Sequence, residues 1–253
     1  MLLPAAREDL TDDDLDRVYA WPDWPVATAW LRANMVTTAD GAARSTDGLS
    51  SGISSDADRR VFGRLRGLAD VVLAGAGTVR AEGYRPARVK AVFADRRAAA
   101  HQTPVPAIAV VSRSLQLDLT MPLFTEAAVR TLVITCGASD PARRDVVSEL
   151  ADVIVAGGDD VDLHRAVAAL NERGLHRVHA EGGPHLLGQL AAAGLLDELL
   201  LTVSPVLAGG SYAGEAPIPR VLAGPPLPES PRALQLHHVL EEEGTLFLDY
   251  RVG

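Results

Sequence analysis

The sequence predicts an α/β protein: a mixed, mostly parallel central sheet with helices on both faces and a C-terminal antiparallel hairpin. Three observations carry that prediction. Apolar runs of strand length alternate with stretches of helical periodicity, which favours parallel strands joined by crossover helices. The last two runs, about Ala233 to Glu241 and Thr245 to Arg251, alternate with period two around Glu243-Gly244, the pattern of a hairpin. Polar and glycine-rich segments fall at the ends of the predicted strands, where open α/β sheets bind ligands. The count is about eight strands with four or five helices, and no repeat or linker divides them. The expected organisation is an N-terminal arm, residues 1–25, and one domain, residues 26–253.

In order, residues 1–25 look irregular and acidic, with Trp21 and Trp24 expected to dock the arm on the body. Val26 to Val36 is the first strand, followed by an Asp40-Gly41 turn and a Ser/Thr-rich loop to Ser54. Ser55-Asp56 opens a helix whose apolar stripe is Val61, Phe62, Leu65 and Leu68. Asp70 to Leu73 is a short buried strand, running into a turn at Gly75-Ala76-Gly77-Thr78 and a turn-rich segment from Ala81 to Arg88. Residues 89–104 fit a helix or a loose segment. Strands follow at Ala107 to Val111, Thr131 to Thr135 and Val153 to Ala156, with helices at Pro141 to Leu150 and Leu163 to Arg173. Val178 and Ala180 then mark a strand, and Leu186, Leu187 and Leu190 recur at helical spacing. Leu199 to Val203 is the next strand, and Ser204 to Ser230 is loop. The run Leu195 to Val206, continued by Leu207-Ala-Gly-Gly, is more apolar than an exposed sheet edge tolerates, which points to pairing across a two-fold axis.

Composition narrows the function. The chain of 253 residues is 47% apolar and carries a formal net charge of −9, which argues against a general affinity for nucleic acid or an anionic membrane. One cysteine, Cys136, excludes an intrachain disulfide and any multi-cysteine metal site. The seven histidines show no metal-ligand spacing, and packing or surface roles are expected for them; no metal is predicted. The chain opens without a basic region followed by an apolar stretch, and no run of about 18 apolar residues occurs. A cytoplasmic location is therefore expected.

The chemistry is concentrated at four strand ends: Thr38-Ala39-Asp40-Gly41, Gly75-Ala76-Gly77-Thr78, Ser112-Arg113 and Glu181-Gly182-Gly183-Pro184. Pro184 suits a first helical turn, and two glycines before it let backbone amides approach a phosphate at the helix N-terminus. An ordinary strand-to-helix turn has the same signature. The six-position dinucleotide fingerprint is absent, since Arg80 stands three residues beyond Gly77. No acid ends a following strand to hold an NAD ribose. Ser112-Arg113 instead offers a hydroxyl and a fixed cation suited to a 2′-phosphate, favouring NADPH, although for these two residues alone a solvated turn is the better reading.

The segments TADGAA, SGISSDADRRVFGRLRGLADVVLAGAGTVRAEGYRP and VHAEGGPHLLGQLAAAGLLDELLLTVSPVLAGG, in that order, resemble the reductase domain of the bifunctional riboflavin-biosynthesis deaminase/reductase over about residues 26 to 250. The resemblance implies a dihydrofolate-reductase-like fold and a homodimer. It also implies an NADPH-dependent reduction of a ribosylaminopyrimidine 5′-phosphate, with hydride delivered to ribose C1′ of the open-chain imine. On the family's motifs, Gly75, Gly77 and Thr78 match the glycine segment on the nicotinamide and phosphate side, and Gly182 and Gly183 the pair beside the pyrophosphate. Ser112 and Arg113 match the 2′-phosphate position. Asp40 and Glu181 match two acids beside the substrate, where desolvation is expected to raise a pKa for proton transfer; which of them donates the proton stays open.

The sequence also departs from the family. Its zinc-deaminase half is not matched, so a stand-alone reductase is expected. The first motif has Thr-Ala-Asp-Gly in place of Ser-Leu-Asp-Gly, and Asn34 stands where lysine is common on the substrate side. Arg85 and Arg88 are the candidates for the substrate phosphate. Reduction of another heterocycle such as dihydrofolate, and NADPH binding without catalysis, are the competing functions.

Overall fold

The computed structural model describes residues 8–25, 27–209, 218–228 and 230–253. Its first elements are α1 (Asp12–Val18), β1 (Trp30–Thr38), α2 (Asp56–Leu68), β2 (Val71–Gly75), α3 (Ala76–Ala81) and α4 (Ala94–Ala99). Then come β3 (Ala107–Val111), α5 (Pro122–Thr125), β4 (Leu132–Thr135), α6 (Pro141–Leu150), β5 (Asp152–Val155) and α7 (Leu163–Asn171). The chain closes with β6 (Arg177–Ala180), α8 (Pro184–Ala192), β7 (Glu198–Ser204), β8 (Leu234–Glu242) and β9 (Thr245–Val252). The fold class is the one the sequence predicts, with nine strands and eight α-helices among the described residues in place of about eight and four or five. No helix among these residues is long and apolar enough to cross a membrane.

The chain forms two compact units, one comprising Met1–Ala20, Arg32–Arg64 and Glu181–Gly253, the other Trp21–Leu31 and Leu65–Ala180. In the second unit the strand order is β5-β4-β3-β2-β6, every pair parallel. Val71 to Ala74 and Ala107 to Val110 are buried without a break, as strands covered on both faces must be. Val72, Val110, Leu123, Phe124, Val133 and Val147 form its core. Asp140 and Asp162 cap α6 and α7. Arg97 is buried on α4, where Nη1 donates to Gly67 O in the last turn of α2 and to Ala69 O just after it. Trp21 does dock the arm, its indole N–H donating to Leu68 O.

Two expectations are corrected in this unit. The segment Gly75-Ala76-Gly77-Thr78 is not a turn: Gly75 keeps extended backbone (φ −74°, ψ 144°) and α3 starts on the next residue, so strand passes directly into helix. The first strand starts at Trp30, because Thr28 N–H closes a turn onto Pro25 O and the ladder begins with Trp30 N–H donating to His176 O. Val26 lies outside the described residues.

In the first unit the order is β1-β7-β9-β8. β1 and β7 are parallel, with Arg32 opposite Glu198 and Thr38 opposite Ser204; β7–β9 and β9–β8 are antiparallel. The Arg32–Glu198 pair is buried and bidentate, Nε–Oε2 2.6 Å and Nη2–Oε1 3.0 Å, and fixes the start of this register. β7 therefore has a strand on each side. Its apolar character comes from this interior position, which corrects the reading of Leu195 to Val206 as an edge awaiting a two-fold partner; Gly210 lies outside the described residues.

Within the arm, residues 12–18 are helical rather than irregular. Thr11 and Asp14 form a capping box at the start of α1, and the three aspartates of the first turn suit the helix dipole. Asp16 then meets the fully buried Arg64 of α2 in a bidentate pair of 2.5 and 2.7 Å. Met1 to Arg7 of the arm lie outside the described residues.

Candidate active site

The residues singled out from the sequence divide between the two units. In the first unit they gather at the carboxyl end of β1. Asp40 follows that strand by two residues, and Gly41, at φ +92°, completes the turn with its N–H donating to Thr38 O. The Asp40 carboxylate accepts from Thr38 Oγ1 at 2.5 Å and from the backbone N–H groups of Ala208 at 3.1 Å and Gly209 at 2.8 Å. Ala39 N–H donates to Val206 O. The loop after β1 is thus clasped to the loop after β7, two segments that emerge side by side because Thr38 and Ser204 are in register.

This corrects the expectation for Asp40. Its carboxyl is exposed, and the Thr38 hydroxyl and then the Ala208 and Gly209 amides hold its pKa down at about 2 rather than raising it. In this setting the Asp40 carboxylate serves as an acceptor toward Thr38, Ala208 and Gly209. Thr38, Ala208 and Gly209 are the partners that sequence reasoning missed. Their signal was weak: a threonine at a strand end and two residues of a loop 168 and 169 positions away.

Glu181 is buried, 8% exposed, and is followed by Gly182 at φ +83°. A Cβ on Gly182 would stand 2.9 Å from Met35 Sδ, so the Glu181–Gly183 turn lies directly against β1. Only glycine meets both conditions. The Gly182–Gly183 peptide is cis. Gly183 is the N-cap of α8, with Pro184 at the first helical position, and no side chain caps that end. Asn34 is elsewhere: it is buried within β1, and Nδ2 donates to Leu200 O on β7 at 3.4 Å. That contact is one between paired strands.

In the second unit the residues gather at the carboxyl ends of the parallel β2–β3 pair, where Gly75 is opposite Val111. Gly77 is exposed, and a Cβ built there meets nothing within 4 Å, which leaves open space beside the first turn of α3. Ser112 is buried; its N–H donates to Ile134 O and its hydroxyl accepts from Leu115 N–H. Arg113 is 67% exposed, with Asp160 3.8 Å away. Arg80 Nη1 donates to Gln116 O and ties α3 to the loop that carries Arg113. Thr78 lies in α3, its carbonyl accepting from Glu82 N–H. Arg85 and Arg88 are exposed on either side of the buried Ala87, in the segment after α3. Tyr84 anchors that segment under the Arg66 guanidinium, 5.4 Å from the ring centroid.

Residues 29–237 match the RibD C-terminal domain. The 2,5-diamino-6-ribosylamino-4(3H)-pyrimidinone 5′-phosphate reductase of Archaeoglobus fulgidus is 29% identical over 181 residues, 72% of this chain and 82% of that protein. The enzyme of the same name from Methanothermobacter thermautotrophicus is 31% identical, covering 71% and 79%. A crystal structure of a pyrimidine reductase-like protein from Corynebacterium diphtheriae superposes with a TM-score of 0.77 at 26% identity, covering 94% of this chain and 98% of that one.

Proposed function

The chain belongs to the RibD C-terminal domain family, and from that premise we propose that it is an NADPH-dependent reductase of a ribosylaminopyrimidine 5′-phosphate in riboflavin biosynthesis. The carrying observation is the match itself, which runs through both groups of strand-end residues over residues 29–237. The relatives named as reductases of such a phosphate align over about 70% of the chain. The residues fit the cofactor. Gly77 leaves space where a side chain would stand, and Gly182 and Gly183 lead directly into α8, with Gly183 its N-cap and Pro184 its first residue.

NADPH, when bound, supplies the hydride for ribose C1′ of the open-chain imine. Gly182 and Gly183 would hold its pyrophosphate, and Gly75, Gly77 and Thr78 would serve the nicotinamide and phosphate side. Arg113, beside the Ser112 turn, is the cation for the 2′-phosphate, a charge that discriminates NADPH from NADH. Arg85 and Arg88 receive the substrate phosphate. Reduction of the imine adds hydride to carbon and a proton to nitrogen. Glu181, buried and directly before the glycine pair, is the residue we assign to that proton. Asp40 keeps the loops after β1 and β7 together and stays charged. Asn34 serves the β1–β7 pair rather than the substrate.

We also propose a homodimer, supported by Leu234 and Leu236, 40% and 39% exposed on β8, the last strand in its unit's order. A monomer in sedimentation at micromolar concentration contradicts it. As an NADPH-linked biosynthetic enzyme, the protein is assigned to the cytoplasm.

The test follows NADPH absorbance with 5-amino-6-(5-phosphoribosylamino)uracil and with its diamino precursor, with dihydrofolate in parallel. Oxidation with a ribosylaminopyrimidine alone supports the proposal. Oxidation with dihydrofolate alone, or NADPH binding without turnover, overturns it.

A further inference from the structure

His237 and His238 are neighbours on β8, and in a regular strand their side chains point to opposite faces. Here the β8–β9 register shifts between Leu236 and His238: Leu236 is opposite Tyr250 and His238 is opposite Asp249. His237 is the extra residue of a β-bulge, a device that re-aims side chains. As a result both imidazoles reach one carboxylate oxygen. His237 Nδ1 and His238 Nδ1 each lie 3.2 Å from Asp249 Oδ2. The two nitrogens are 3.4 Å apart.

We propose that His237, His238 and Asp249 form a binding site for a divalent transition ion of the zinc class. The three donor atoms make a nearly equilateral triangle. A tetrahedral zinc ion with bonds of about 2.0–2.1 Å has donor–donor edges of about 3.3–3.4 Å, so an ion capping this triangle needs little movement of its ligands. Two imidazole nitrogens and one carboxylate oxygen are a borderline donor set that selects zinc-like ions over magnesium or calcium.

Burial supports the assignment. His238 is 3% exposed and Asp249 1%, and the Asp249 carboxyl also meets the fully buried Glu198. Two buried acids side by side repel when both are ionised, and a cation coordinated at Asp249 Oδ2 relieves that repulsion. The nearby Arg251 is shared with Glu198. Its Nη1 lies 3.3 Å from Glu198 and its Nη2 is 3.9 Å from Asp249 Oδ2, beyond hydrogen-bond reach. The edge of the Tyr19–His238 ring contact, with centroids 5.4 Å apart, fixes the inner imidazole, while His237 is 53% exposed and gives the ion a path from solvent. Such an ion staples the bulged end of the β8–β9 hairpin and keeps one coordination position for water. The site lies wholly within the first unit, and its residues are not among those assigned to the cofactor or substrate.

The test uses the full-length protein without an affinity tag, stripped with a chelator and titrated with Zn²⁺ against a chromophoric competitor. Binding of one equivalent, with a melting temperature that rises until that equivalent is reached, supports the site. Co²⁺ in its place is expected to give the intense visible bands of a tetrahedral ion. His237→Ala, at an exposed position, weakens Zn²⁺ binding by more than the roughly 10–100-fold that loss of an outer partner costs, and the Zn²⁺-dependent rise in melting temperature is lost. Asp249→Asn is the second arm. Absence of stoichiometric binding in the wild type, or equal affinity in wild type and His237→Ala, overturns the proposal.

Discussion

Replacing Arg32 by methionine tests how the first unit is held. The Arg32 and Glu198 side chains are 1% and 0% exposed, and the guanidinium makes two bonds to the carboxylate and donates Nη1 to Tyr19 O at 2.8 Å. Removing one partner of such a pair strands the other charge in the interior, at a cost of about 3–5 kcal/mol. Arg251 remains 3.3 Å from Glu198 Oε2, which places the expected loss at the low end, about 3 kcal/mol. For a chain of this size each kcal/mol lowers the melting temperature by about 2–4 °C, so a drop of about 6–12 °C is expected in calorimetry. Urea unfolding should show a lower midpoint. The double variant Arg32→Met/Glu198→Met removes both charges and is expected to melt closer to wild type than Arg32→Met alone, because a buried ion pair adds little over apolar packing of the same volume. A loss below about 1 kcal/mol in the single variant, or a double variant less stable than the single, refutes this reasoning.

Gly182→Ala forces a side chain to φ +83° and into Met35 Sδ, a conformation costing roughly 1–2 kcal/mol before any clash; NADPH affinity by fluorescence titration should fall more than tenfold, and Met35→Ala should not restore it. Asp40, with its pKa lowered from 3.8 to about 2, contributes stability that is present above pH 3.8 and lost as pH falls toward 2. An acid limb in kcat between pH 4 and 7 therefore does not belong to Asp40, and Asp40→Asn should leave the shape of that profile unchanged. Glu181→Gln should abolish turnover while NADPH still binds. Arg85→Ala and Arg88→Ala each remove a charged hydrogen bond worth about 1.5–3 kcal/mol, so the substrate KM should rise by roughly 10–150-fold with NADPH affinity unchanged.

The parts of this fold that local chemistry decides were legible in the sequence. Val71 to Ala74 is an unbroken apolar run because its strand is covered on both faces, and Glu243-Gly244 is a hairpin turn with both residues at positive φ. The start of α8 was legible from Gly-Gly-Pro for the same reason. What failed was decided by tertiary contact. The acidic start of α1 suggested an irregular arm, although Thr11 and Asp14 already spelled a capping box; its stability comes from Arg60 and Arg64, which pair with Asp12 and Asp16. The apolar run of β7 suggested an edge seeking a partner, because composition does not distinguish an interior strand from an interface. Asp40 was found as a motif residue, yet its ionisation depends on amides of the loop 206–209, which no local pattern connects to it. His237 and His238 were set aside because a bulge leaves no trace in spacing.

The central claim is that hydride reaches ribose C1′. The most direct measurement incubates the protein with a ribosylaminopyrimidine 5′-phosphate and NADPH carrying deuterium at both C4 positions, then locates the label by NMR and mass spectrometry. A ribityl product with one deuterium at C1′ is the expected result. Oxidation of the cofactor with no deuterium at C1′, or recovery of unreduced substrate from a protein that binds NADPH, would contradict the account.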